Sequence, residues 1–318
     1  MVYHLLRTSD YHTMAPRQSE PAIRLGIDLG GTKIEIIALD EEHCALLRRR
    51  IPTPQGGYGV ILRAIVDLVH QAERQLGDRC TIGIGTPGAL SRKTGALKNS
   101  NSTCLNGMPL LDDLTRLLKR PVRIANDANC FALSEAVDGA ARGASVVFGV
   151  IVGTGCGGGI VVDGRLLTGV NAIAGEWGHN PLPWLKDDEL RGPECYCGKH
   201  GCIETFLSGP GMRRDHERVT GHRFQPATIA RRAADGDAGC EATLQRYEER
   251  MARALAHVIN ILDPDVIVLG GGMSNIQRLY RNVPKIWGGY VFSDVVDTKL
   301  VAARHGDASG VRGAAWLW

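Results

Sequence analysis

The 318 residues are 44% hydrophobic and 22% charged, with a net charge of +3 at pH 7, the composition of a folded globular chain long enough for two domains with cores of their own. So small a charge, on dispersed basic residues, gives no electrostatic reason to expect nucleic acid or an anionic membrane as partner. No stretch approaches the ~18–20 continuous apolar residues of a membrane span. Nine cysteines are present, and six of them (Cys44, Cys80, Cys104, Cys130, Cys156 and Cys240) lie scattered without a pairing pattern, which fits reduced, cytoplasmic use.

Residues 1–21 are polar and lack an apolar signal core; they read as a disordered extension or a misassigned start. Periodic structure begins at Ile23. Arg24–Asp28 reads as a strand, followed by the turn Leu29-Gly30-Gly31-Thr32-Lys33 and by strands at Ile34–Leu39 and Ala45–Ile51. Gly56–Leu76 is expected as a helix, with Ile61, Ile65, Leu68, Ala72 and Leu76 on one face and Gly77 as the stop. A strand at Thr81–Gly85 ends in Thr86-Pro87-Gly88. Leu110–Leu118 reads as a helix, Val122–Ala125 as a strand leading into Asn126-Asp127-Ala128-Asn129, and Cys130–Val137 as the helix that continues from it.

A second round of the same kind starts at Val146. The strand Val146–Val152 runs into a Gly/Thr-rich turn at 153–159, then Ile160–Asp163, a turn at Gly164, and Arg165–Leu167. The order strand, glycine turn, strand, turn, strand repeats the first round, a duplication of architecture rather than of sequence. Beyond residue 204 the chain reads as mainly helical, with a long helix from about Ala238 to Leu262. A buried strand at Asp265–Leu269 ends in Gly270-Gly271-Gly272-Met273-Ser274, and Gly310–Trp318 reads as a terminal helix. Strands alternating with helices make the class α/β.

Three strand-to-glycine turns, at 28–33, 153–159 and 270–274, expose backbone N–H groups that can surround phosphate oxygens. Each alone is a weak signal, and none fits the P-loop or dinucleotide fingerprint; the three together point to a nucleotide clasped from two sides. Asp28, set among apolar neighbours, is costly to bury unless it meets a cation, and Mg²⁺ on a nucleotide phosphate answers that need. Asp127 opens a helix, where an N-cap role is the simplest reading. Its place at the junction of the two rounds also allows it to take the proton of a hydroxyl that attacks a γ-phosphate.

From Gly175 to Glu204 the chain carries Gly-Glu-Trp-Gly-His and then Cys195-Tyr-Cys197-Gly-Lys-His-Gly-Cys202-Ile-Glu204. Three thiols and the imidazole of His179 make a four-ligand set for a structural zinc ion, with Glu176 and Glu204 directly beside the ligands.

These pieces, Ile27-Asp28-Leu29-Gly30-Gly31-Thr32-Lys33, Asn126-Asp127-Ala128-Asn129, Gly175–His179 and the cysteine loop, together resemble the ROK family of sugar kinases and repressors, over nearly everything from residue 22 to 318. Within it, Lys98–Thr103 and Glu176–Trp184 look most like bacterial fructokinases of the manno(fructo)kinase type. The resemblance implies a two-domain, actin-like (hexokinase-type, ribonuclease H-like) ATPase fold closing on ATP and a hexose in an inter-domain cleft. The expected division is 22–125 plus a C-terminal helix at about 308–318, and 126–307 with the zinc loop. Asp127 would be the general base that activates the 6-hydroxyl of fructose. Asn101, Asn126, Glu176, His179 and Glu204 would hold sugar hydroxyls, and His179 would use one ring nitrogen for zinc and the other for sugar. Asp28 would serve Mg²⁺; Gly30, Gly31, Thr32, Lys33, Gly153, Thr154 and Gly155 would hold the phosphates, with Gly271 and Gly272 near adenosine. A homodimer is implied by resemblance alone. A ROK repressor would need a DNA-binding module, for which the residues before Ile23 are too few. An N-acetylglucosamine kinase or glucokinase of the same family, and more distantly a non-catalytic sugar-responsive regulator, stay open as alternatives.

Overall fold

The computed structural model describes residues 21–100 and 102–318; the N-terminal segment read as an extension, apart from Pro21, lies outside them, as does Asn101. Two five-stranded mixed sheets with the same strand order form the frame. In the first, β1 (Arg24–Leu29), β2 (Lys33–Leu39) and β3 (Ala45–Pro52) are antiparallel neighbours, and β4 (Thr81–Thr86) and β7 (Arg123–Asn126) continue parallel to β1. A small hairpin, β5 (Ala89–Leu90) with β6 (Leu97–Lys98), follows β4. In the second sheet β8 (Val146–Val152), β9 (Cys156–Val162) and β10 (Arg165–Leu166) repeat the antiparallel meander, and β11 (Val266–Gly270) and β12 (Lys299–Ala302) run parallel to β8. The repetition expected from the order of turns is thus a repetition of topology.

Helices α1 (Tyr58–Leu76) and α2 (Leu110–Leu118) belong to the first half, and α3 (Asp127–Val137) follows β7. In the second half α4 (Ile203–Leu207), α5 (Gly209–Thr220), α6 (Pro226–Ala234), α7 (Ala238–Leu262) and α8 (Leu279–Trp287) precede β12, and α9 (Ser309–Ala315) follows it. Two cores result: one of β1, β2 and β4 side chains with Ile61, Ile65, Leu68 and Leu114, the other of Phe148, Val150, Leu244, Tyr247, Met251 and Leu255. The residue expected as the stop of α1, Gly77, caps it in the left-handed conformation with φ 71°.

The glycine run was expected to be one turn from 153 to 159. Only 153–155 turns; Gly157, Gly158 and Gly159 are strand β9. The reason is close approach on both faces of the pleat. A Cβ on Gly157 or Gly159 would press on Ala128 of α3, and one on Gly158 would meet the Gly175 carbonyl and the Trp177 ring. Alternate faces of one strand therefore carry a helix and the Gly175–Trp177 segment at backbone distance.

The two halves are joined by an exchange of helices. α3 leaves β7 of the first sheet yet packs on β8 and β9 of the second, and α9 leaves β12 of the second yet packs on β1, β2 and β4 of the first. The two helices cross so closely that a Cβ on Gly313 would overlap the Cys130 carbonyl. A third apolar cluster fills the crossing, with Phe131, Ala132 and Val147 meeting Ile37, Leu39, Val311 and Ala315. Glu135 ties it shut. Its buried carboxylate accepts from the backbone N–H groups of Ala140 (2.9 Å), Arg304 (3.0 Å) and His305 (3.2 Å) and from the Ser309 hydroxyl (2.8 Å). Glu135→Ala leaves those donors without their acceptor, and we expect it to lower stability by about 3 kcal/mol or more. Denaturant unfolding followed by tryptophan fluorescence measures this; a loss below about 1 kcal/mol would show that water replaces the carboxylate.

Candidate functional site

The exchange of helices brings the end of β7, the start of α3 and the glycine turns to one cleft of about 590 Å³ between the halves. Asp28, Gly30, Gly31, Asp127, Gly271 and Gly272 all lie on its wall. Gly153 approaches from the second sheet, where an added Cβ would stand 3.9 Å from the Gly272 nitrogen. Thr53 holds the first turn in shape, its hydroxyl donating to the Gly30 carbonyl (2.6 Å) and its N–H to that of Thr32 (3.0 Å). Thr32 and Lys33 are not among the lining residues, although the Lys33 charge is near enough to lower the Asp28 pKa.

Electrostatics single out the two aspartates. Burial raises the Asp28 pKa from 3.8 to about 6, with further upward pushes from the charges of Asp127 and Glu35, while Lys33 and Arg50 oppose them. The Asp127 pKa is also raised, by desolvation among the cleft walls around its exposed side chain, and is pulled back by N–H groups at the head of α3. Its side chain still opens on the cleft, so it stays available to a substrate.

Asp127 is not the cap of its helix. Asn126 is: its side-chain oxygen accepts from the Asn129 N–H at 2.7 Å, and Asp127 is the first helical residue, with a local 2.8 Å bond from Ala128 N–H. Asn and Asp cap equally well, and the chain places the turn one residue before the position the sequence favoured. That leaves the Asn126 amide nitrogen, not its oxygen, free for a ligand.

On the other side of Asn126 lies a second cavity of about 770 Å³, lined in part by Asn126, Asn129 and Glu176. Its far wall is the segment 166–176, and across its mouth Arg92 of the β5–β6 connection bonds the Val170 carbonyl. Adjacent residues of one chain, Asn126 and Asp127, thus face two different compartments.

The cysteine loop sits behind this region. The candidate ligand atoms of His179, Cys195, Cys197 and Cys202 lie within 4.8 Å of one another. Cys197 and Cys202 sulfurs are 3.6 Å apart, and Cys195 Sγ is 3.5 Å from His179 Nδ1. Tetrahedral zinc, with bonds of ~2.3 Å to sulfur and ~2.0–2.1 Å to nitrogen, asks for edges of about 3.8 and 3.6 Å. The residues fit that ion. It would fix the loop that starts α4, and with it Glu204, whose Oε2 accepts from the Cys156 N–H at 2.9 Å. Glu204 therefore leans on the 153–155 turn with one oxygen and has the other to offer.

One residue here was missed by sequence reasoning. His179 Nε2, expected to face a sugar hydroxyl, lies 2.9 Å from the Tyr196 hydroxyl. The Tyr196 ring is exposed, but its hydroxyl meets His179; desolvation and nearby negative charge, that of Glu204 foremost, push its pKa up to about 12. Glu176, His179, Tyr196 and Glu204 thus converge. The signal was the Cys-x-Cys spacing, which places the intervening side chain beside the histidine ligand.

The ROK family description matches residues 24–318. The chain belongs to the ROK family. An N-acetyl-D-glucosamine kinase of Pectobacterium atrosepticum is 41% identical over 296 residues, 92% of this chain and 97% of that protein. A ROK hexokinase from Thermus thermophilus shares the fold with a TM-score of 0.83 at 32% identity, covering 92% of this chain and 97% of that one. A ROK glucokinase from Streptomyces griseus, solved with glucose and AMPPNP, gives a TM-score of 0.73 at 27% identity over 93% and 98% of the two chains. The architecture is the ROK form of the two-domain, actin-like hexokinase fold, as the resemblance implied. Among the described residues no helix is long and apolar enough to cross a membrane.

Two measurements test the site. ROK protein purified without added metal should carry about one zinc per chain, and Cys197→Ser should lose both metal and activity, since the loop bearing Glu204 loses its anchor; a metal-free chain with full activity would overturn the assignment. Mg·ATP affinity should fall as pH is lowered through about 6, where Asp28 takes up its proton, and Asp28→Asn should bind weakly with a flattened profile. Stability of the ligand-free protein moves the other way. The raised pKa favours the protonated folded form, so this carboxyl's contribution declines as pH rises from 3.8 to about 6.

Proposed function

We propose that this ROK protein is an ATP-dependent N-acetylglucosamine kinase, transferring the γ-phosphoryl of ATP to the 6-hydroxyl of the sugar. The observation that carries the reading is the placement of Asn126 and Asp127: one residue faces the cavity that shares Glu176, and the next faces the cleft of Asp28 and the glycine turns. A base at that boundary can take a proton from an acceptor on one side while phosphate is received from the other. The choice of sugar rests on the curated relatives, N-acetyl-D-glucosamine kinases at about 40% identity over 92% of the chain. These favour that acceptor over the fructose expected from the residues near 98–103 and 176–184. The cysteine loop is common to ROK kinases of several acceptors, which is why the motifs alone did not separate them.

In this reading Asp127, its pKa raised by desolvation, is a stronger base than a free carboxylate, and it accepts the hydroxyl proton as the P–O bond forms. Asp28 serves the Mg²⁺ of the nucleotide. Turns 30–33 and 153–155 present N–H groups to the phosphates, with Gly271 and Gly272 toward the adenosine. Glu176, His179, Glu204 and the amide nitrogen of Asn126 hold the sugar, with Asn101 as a further contact.

Asp127→Asn removes the proton acceptor and leaves the Asn126 cap untouched. We expect kcat to fall by about two orders of magnitude or more with sugar binding retained. Steady-state kinetics beside calorimetric sugar binding measures both; near-normal turnover would remove Asp127 from the chemistry. The acceptor itself is read from a coupled assay with N-acetylglucosamine, glucose, mannose and fructose, in which N-acetylglucosamine should give the highest kcat/KM.

A further inference from the structure

Glu35 has no task in the reading above. It is a carboxylate only 1% exposed, held by Arg48 Nε at 2.5 Å and by Arg50 at 3.0 and 2.6 Å. Both arginines stand half-exposed on the edge strand β3. In the ladder Glu35 lies directly opposite Asp28 on one side and Arg50 on the other. Residues opposite one another in antiparallel strands share a face, so Asp28, Glu35 and Arg50 form one row that ends at the cleft. The second sheet, with the same topology, fills the corresponding row differently. One pair before its glycine turn stand Ile151 and Gly157, and Gly270 takes the place of Gly85 beside them. Charge at these positions is therefore no requirement of the fold. A buried carboxylate beside a second carboxylate is costly, and an apolar pair would be cheaper.

Among the described residues on the cleft wall are Asp28, Asp127 and Asp307, and no lysine or arginine. Nucleotide phosphates placed there have to be met by a metal ion and by backbone N–H groups. We propose that Glu35 is a positioning residue for the divalent cation that accompanies the nucleotide: from behind Asp28 its negative charge strengthens the hold on that cation, and Arg50 weakens it. The proposal rests on the reading of Asp28 as the residue that serves Mg²⁺. The charges of Glu35 and Arg50 bear on Asp28 with opposite sign, as they would on a cation beside it. Arg48 and Arg50 make the burial of Glu35 tolerable, while solvent around their half-exposed side chains screens part of their own field. The field at the cleft end of the row is then set by the buried carboxylate.

The test is calorimetric and needs no turnover. Affinity for AMPPNP is measured with Mn²⁺ and without added divalent cation, and the ratio of the two association constants reads the hold on the metal. The unaltered protein, Glu35→Gln, Arg50→Gln and Asp28→Asn are compared, with thermal melts to confirm folding. Glu35→Gln should lower the ratio by about tenfold, the scale of one unit charge acting on a nearby divalent ion in a partly screened site. Arg50→Gln should raise it by about threefold, less because its guanidinium is half exposed. A brace that merely joins β2 to β3 would lower the melting temperature of both variants without moving the two ratios in opposite directions, and that result overturns the proposal. Should Glu35→Gln not fold, Arg50→Gln decides alone, and an unchanged or lowered ratio overturns it. If Asp28→Asn leaves the ratio unaltered, the reading of Asp28 fails and the proposal with it. If Asp28→Asn abolishes the advantage of the metal while the other pair does not move apart, only the role of Glu35 fails.

Discussion

Everything catalytic in this fold hangs on the crossing of α3 and α9. Each helix leaves one sheet and packs on the other, so the sheets cannot move independently of the pair. The contact is made at backbone distance, with Gly313 against the Cys130 carbonyl and with Gly83 and Gly149 clearing the sheets beneath the two helices. Close-packed interiors resist continuous deformation, so a relative rotation of the halves has to pass through this joint. Asp127 sits at the head of one of the two helices. Any closure of the cleft would therefore act on the residue proposed as the base.

The cysteine loop is a second anchor, and its reach is longer than its size suggests. Cys202 ends the ligand set and is the N-cap position of α4, and Glu204 lies in the first turn of that helix. Through Glu204 the loop touches Cys156 N–H at the foot of the 153–155 turn, and Gly209 N–H bonds the Gly153 carbonyl at 2.8 Å. On its other flank, Trp177 Nε1–H bonds the Gly157 carbonyl and its ring packs edge-on against Phe148. A change in the loop is thus transmitted to residues expected to meet sugar and to residues expected to meet phosphate. Behind it the buried Glu189 is held by Arg250 and Arg253, and burial is overcome by those guanidinium groups so that its pKa drops to about 2. Arg253 also reaches the carbonyls of Pro183 and Trp184. The approach to the loop is fixed as firmly as the loop itself.

Where a segment carried its own periodicity, the sequence was sufficient. α2, α7 and β8 have the bounds that their apolar spacing and caps imply. It fell short where a neighbour in space decided the matter. Gly157–Gly159 looked like a turn because the cause of their smallness, Ala128 on one face and Gly175 with Trp177 on the other, is distant in the chain. α8 was hidden by Pro284 in its interior, and β12 is a four-residue strand defined by its pairing with β11. The candidate aspartates and the His179–Cys195–Cys197–Cys202 cluster stood out in the sequence because each is costly without a partner, and the structure brings the four cluster residues together. Tyr196 did not stand out, since a tyrosine in a loop is ordinary until its surroundings are known.

The two aspartates pose a last question of energy. Asp28 is raised chiefly by burial, then by the charge of Asp127; in the ligand-free protein the pair is a standing electrostatic penalty that the fold tolerates. On the proposed function, a divalent cation arriving with the nucleotide would remove that penalty at Asp28, because opposite charge restores the ionised form. Asp127 is raised by burial without a cation beside it in sequence, and it keeps the basicity that burial confers. A carboxylate neutralised by metal would be a poor proton acceptor, and one left desolvated is a better one. On the function proposed above, the same low-dielectric cleft would give two identical side chains opposite duties: Asp28 to bind charge, Asp127 to take a proton.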